Sequence, residues 1–93
     1  MNAQTARDID YALFSALAPA FPRGFTAEFL FDQRVKDKVD CTIQDVEARL
    51  AFFAGLEQIK PIPQDPNLPD LPPYWALTSA GVIEARRRGI NTK

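Results

Sequence analysis

The chain contains no histidine, so the commonest general base and the commonest metal ligand are both missing. It contains one cysteine, Cys41, which excludes an internal disulfide and leaves no second thiolate for a zinc site. Its four glycines are scattered, so no glycine-rich phosphate loop exists. No apolar stretch approaches the roughly 20 residues that a membrane span needs. The N-terminus shows no basic segment leading into an apolar run. A cytoplasmic protein without a membrane segment is the expectation. Excess charge is lacking too: eleven basic and twelve acidic residues leave a net charge of −1. Any basic footprint for nucleic acid must therefore be local.

What is present is a chain of 93 residues that is 46% hydrophobic and carries seven Phe, two Tyr and one Trp. That composition suits one folded domain over residues 1–93. A domain of this size buries only about 60–65% of its unfolded surface, so its aromatic residues matter for stability.

Periodicity predicts the elements. Thr5 and Asp8 form a capping signature, followed by Ile9, Leu13, Ala16 and Leu17 at helical spacing. A first helix is predicted over about 6–18, stopping before Pro19. Thr26 caps a second, over about 27–38, with Ala27, Leu30, Phe31, Val35 and Val39 as its stripe. Thr42 and Asp45 cap a third over 43–54, with Ile43, Val46, Leu50, Phe53 and Ala54 on one face. Gly55 stands where a left-handed helix end is wanted. A strand near 58–62 leads into Pro61–Pro73, which holds six of the eight prolines and must be loop or sheet edge. A second strand near 74–78 returns, and Thr78 or Ser79 caps a last helix over 79–88, ended by Gly89. The fold class is α+β, mainly α. The expected core includes Leu13, Leu17, Leu30, Val46, Leu50, Phe53, Leu56, Trp75, Leu77 and Ile83.

The run Thr42 to Leu56 with Ile59 after it, and the run Tyr74-Trp75-Ala76-Leu77-Thr78-Ser79-Ala80-Gly81, carry a family likeness. Over about residues 6–88 the chain resembles the winged-helix (winged helix-turn-helix) DNA-binding domain superfamily, of the small bacterial and prophage type. The resemblance implies a three-helix core, a two-stranded antiparallel wing and a short C-terminal helix. It also implies a non-enzymatic DNA-binding regulator, prophage-encoded, with the third helix as reader. The chain departs from the pattern at the wing tip: Gln64 to Asp70 holds two acids and no basic residue.

On a duplex, the outward face of the third helix would offer Gln44 to adenine and Arg49 to guanine, with Ala48 between them. Asp45 and Glu47 oppose a polyanion there. Lys60 and the cluster Arg86, Arg87 and Arg88 are the candidate phosphate contacts. Three cations in a last helical turn also simply favour the negative helix end. A continuous positive stripe through Arg49, Lys60 and Arg86–Arg88 would favour DNA. Tyr11, Phe14, Phe29 and Phe52 fall off the apolar stripes and point to an association surface, for a homodimer or another partner, ahead of the alternative that the first helix is packed on two sides within the monomer. The stretch Leu68 to Trp75 reads as a stiff wing connector rather than a polyproline ligand. Cys41 precedes a helix cap, where the helix dipole would lower its pKa; a partly buried, inert residue is the plainer reading. Asp8 with Asp10, and Asp37 with Asp40, read as caps or solvated faces. No catalysis, metal or cofactor is expected. Double-stranded DNA is the first expected partner. The alternative is a winged-helix protein–protein interaction module without DNA binding.

Overall fold

A computed structural model of the chain describes residues 1–91. Helix α1 covers Ala3–Leu17. It starts earlier than the Thr5 signature predicts, because Asn2 is the cap: its side-chain oxygen accepts the Thr5 N–H at 2.8 Å. Asparagine caps a helix as well as threonine does. The helix buries Ile9, Leu13, Phe14 and Leu17 completely. It packs against elements on more than one side, meeting the second helical segment, the third and fourth helices and the returning strand. This double packing corrects the expectation for Phe14. Its ring is not part of an association surface but is 0% exposed, edge-on to Phe53 at 5.0 Å.

Thr26 caps the second helix as predicted, yet α2 is only Ala27–Leu30. A π-helical turn, Phe31–Val35, replaces the rest of the predicted helix. Within it the Lys36 N–H reaches back to the Phe31 carbonyl at 2.9 Å. The inward residues explain the change. Leu30 and Val35 are both 0% exposed yet five residues apart, a spacing that a regular α-helix would turn off one face. The wider π turn brings both inward, and Val39 follows.

Helix α3 covers Ile43–Gly55 and carries the predicted reciprocal cap: Asp45 N–H to the Thr42 hydroxyl, Thr42 N–H to the Asp45 carboxylate. Gly55 is helical rather than left-handed. The chain reverses two residues later at Glu57, with φ 60°. Leu56 is consequently half exposed, against the expectation that it lies in the core. Strands β1 (Ile59–Ile62) and β2 (Tyr74–Leu77) pair antiparallel, Ile59 opposite Leu77 and Ile62 opposite Tyr74. A single bridge from Phe25 to Trp75 lies on the other side of β2. Strand β1 is thus an edge, which is where Pro61 can be tolerated. Helix α4 (Ser79–Arg87) is capped by Thr78 and followed by Gly89 at φ 79°. It turns Gly81 and Ala85 inward, so Ile83 is 59% exposed, contrary to expectation. Trp75 is only partly buried. One apolar cluster joins residues of all four helices with Ile59 and Leu77. Among the described residues no helix is long and apolar enough to cross a membrane.

Two glycines set how closely these parts approach. A Cβ on Gly24 would stand 1.9 Å from the Trp75 carbonyl oxygen, and one on Gly81 would stand 2.0 Å from that of Gln58. Both neighbours are backbone and cannot swing away. Gly24→Ala and Gly81→Ala should each destabilise by roughly 1–3 kcal/mol or more, the range for overpacking. Gly55→Ala is the control. Its Cβ would meet nothing within 4 Å, and alanine favours a helix over glycine by about 1 kcal/mol. In urea melts Gly55→Ala should match or exceed the parent, while the other two fall. A Gly81→Ala protein as stable as the parent would contradict the close contact.

Candidate interaction surface

The fate of the charged residues of α3 decides what this helix can offer a ligand. Arg49 is the only basic residue in the helix. Its Nε and Nη2 donate to the two carboxylate oxygens of Asp10 at 2.7 and 2.8 Å. The Asp10 side chain is 6% exposed and the Arg49 side chain 19%. The guanidinium also lies 4.4 Å from the centre of the Phe52 ring and 5.4 Å from that of Phe53. This is a forked, charge-assisted pair joining α1 to α3 under an aromatic cover.

The outward face is left with Gln44, Glu47, Ala48, Ala51 and Phe52, all exposed, continued by Leu56 beyond the helix end. Glu47 is the one exposed charged residue of α3. Phe52 is 50% exposed while its edge meets Phe53 at 5.1 Å. It both closes over Arg49 and presents a ring to solvent. A shallow depression of about 540 Å³ adjoins this end of the face, between Phe21-Pro22 and Leu56, with Lys60 on its rim.

The other cations are dispersed. Arg88 donates to Glu84 at 2.8 Å and lies 4.8 Å from the centre of the Phe14 ring. It mirrors Arg49 across the Phe14–Phe53 pair and is likewise folded onto the core. Arg87 pairs with Glu84 at 3.1 Å from an exposed position. Arg86 and, on β1, Lys60 are exposed. Of the predicted association residues, Tyr11 is 53% exposed on α1, and Phe29 is 38% exposed on α2, stacked on Phe25 at 4.7 Å. Each of them lines a depression separate from the α3 face.

Between α3, the start of α2 and the β1–β2 loop runs a groove of about 310 Å³. Trp75, Pro72, Pro73 and Ile43 form its apolar walls, and Glu28 and Glu47 stand at it. The Gln64 amide donates to the Pro72 carbonyl at 2.6 Å and ties the two ends of the β1–β2 loop together. Cys41 has its thiol pKa raised by burial and by the nearby Asp45 and Asp40 carboxylates. Cys41 is thus the partly buried residue of the plainer reading, with its thiolate disfavoured by desolvation and by two carboxylates.

The Asp10–Arg49 pair was the feature missed from sequence, although a signal existed. Asp10 shares the spacing of Leu13, Phe14 and Leu17, and Arg49 that of Val46, Leu50 and Phe53. Opposite charges on two apolar stripes are each other's natural partner, since a lone buried charge is costly. Comparison of the chain with protein-family models, with curated proteins and with solved structures finds no match.

Proposed function

We propose that this chain is a non-enzymatic winged-helix domain that works as a protein-interaction module, through the outward face of α3. The order of three helical segments, two antiparallel strands joined by a proline-rich turn and a closing helix supports the winged-helix reading. One observation carries the functional part. The cation that a DNA reading would assign to base contact, Arg49, is bound to Asp10, and the face it leaves behind is Ala48, Ala51, Phe52 and Leu56 with one acid. A half-exposed aromatic among small residues suits a protein surface, where aromatic anchors supply most binding energy. A polyanion would meet Glu47 there, and Asp65 and Asp70 on the wing.

A second reading has its own support. Lys60, Arg86 and Arg87 are exposed and would suit phosphate contact. In that case Gln44 is left as the polar base reader on α3, so binding would be weak and little dependent on sequence.

The test is a photo-crosslinking amino acid placed at Ala51 in the full chain, in cells. A discrete protein adduct should form and should fade when Ala48→Glu adds a charge beside it. Ala48 is exposed, so this change should alter stability by no more than about 0.5 kcal/mol. The same crosslinker at Arg7, exposed on α1, is the control. Equal, diffuse labelling from both positions would reject the α3 face as the interface.

A further inference from the structure

We infer that the groove between α3 and the wing receives an arginine side chain of the protein partner, an inference that rests on the interaction-module reading. The groove offers two kinds of surface. Its walls are Trp75, Pro72, Pro73 and Ile43, and at it stand the carboxylates of Glu28 and Glu47. No basic residue lines it. Both glutamates are exposed, and among the described residues neither is held by an ion pair or hydrogen bond, so both carboxylates are open to a cation placed in the groove. Glu28 has a local reason for its place, in the first turn of α2 where a negative charge favours the helix end. Glu47 lies beyond the first turn of α3 and has no such reason.

Arginine matches both surfaces. Its aliphatic stem lies on apolar walls while its head stays at the polar rim. Its planar guanidinium stacks on an indole and forks onto a carboxylate. Lysine gives neither the stack nor the fork as well. A neutral apolar side chain would leave both acids unpaired, and a phosphate would be repelled by both. The intact chain uses the same combination internally, where Arg49 joins Asp10 beneath Phe52.

Trp75 is the only tryptophan, so its fluorescence reports the groove directly. The probe is a random dodecapeptide library selected on the immobilised full chain, with the selected peptides synthesised and titrated. Selected peptides should share an arginine, and their binding should shift Trp75 emission. The double variant Glu28→Gln/Glu47→Gln, or citrulline in place of the arginine, should weaken binding roughly tenfold, as two exposed ion pairs and a ring contact allow. Both glutamates are exposed, so the variant should fold as the parent does, which its thermal melt will check. Peptides without a cation, binding unmoved by the double variant, an unchanged Trp75 signal, or no selected peptide at all would each overturn the inference. The crosslink from Ala51 is read in the parent chain with both glutamates in place, and it requires no arginine in the partner. If it persists, the groove alone is wrong; if it is lost as well, so is the interaction module.

Discussion

Arg49→Ala should destabilise the fold by about 3–5 kcal/mol, the cost of leaving a buried charge without its partner. Domains of this kind hold only about 5–15 kcal/mol in total, so the loss would be plain in a urea melt. The two partners are not equivalent. Asp10 is short and its side chain is 6% exposed, so without Arg49 it cannot reach water. Arg49 is long and 19% exposed, so without Asp10 it can slide outward along Phe52. Asp10→Ala should therefore cost less than Arg49→Ala. Arg49→Lys should recover only part of the loss, because an ammonium cannot repeat the fork. Asp10→Leu with Arg49→Met should restore much of it, since apolar pairs commonly replace buried ion pairs without penalty. If Arg49→Ala melts within about 1 kcal/mol of the parent, the pair is a surface contact and Arg49 is available to a ligand. The same experiment guards against a false conclusion. Loss of any activity in Arg49→Ala would report unfolding before it reported a lost contact.

Phe53→Ala should cost about 3–5 kcal/mol, the range for deleting a buried aromatic ring. Phe53 is 3% exposed and sits where three aromatic rings and two arginines meet. Phe14 and Phe52 approach it edge-on at 5.0 and 5.1 Å. The guanidinium groups of Arg49 and Arg88 lie 5.4 and 5.6 Å from its centre. Removing it leaves a cavity and takes an aromatic neighbour from both cations. The adjacent Phe52 is the comparison. It is half exposed, so Phe52→Ala should cost clearly less in stability while removing the ring that the proposed interface presents. A chemical denaturation series that ranks Phe52→Ala above Phe53→Ala would mean that the two rings are assigned to the wrong sides.

Helical period, caps and proline content made most of the architecture legible in the sequence. The Thr42–Asp45 box, the Thr26 and Thr78 caps and the proline-rich turn appear where local chemistry puts them. These are short-range features, in which one side chain answers the backbone three residues away. The second helix was misjudged where local pattern and tertiary packing compete. A stripe through Leu30, Phe31 and Val35 looks α-helical, but burying both Leu30 and Val35 takes a π turn. Phe14 was misplaced because a wheel assumes one buried face and α1 is packed on more than one. Leu56 lies beyond the end of α3, where the helical period no longer sets direction, and Ile83 faces out because α4 turns the small residues Gly81 and Ala85 inward. The site suffered most. Gln44, Ala48 and Phe52 do face outward, as the wheel predicts. Whether Arg49 faces out with them depends on Asp10, 39 residues earlier, and no local pattern contains that pairing. The groove at Trp75 is likewise built from α2, α3, the β1–β2 loop and β2, which meet only in the fold.

The outward face of α3 and the proline-rich loop between β1 and β2 carry no basic residue for reading a duplex. Selection of the full chain against a pool of random double-stranded DNA, at low and at moderate salt, tests it most directly. No sequence should be enriched at either salt, and only weak retention at low salt, lost as salt rises, is expected through Lys60, Arg86 and Arg87. An enriched motif that survives moderate salt and weakens on Gln44→Ala, with the fold intact, would contradict it and make this helix a reader of DNA after all.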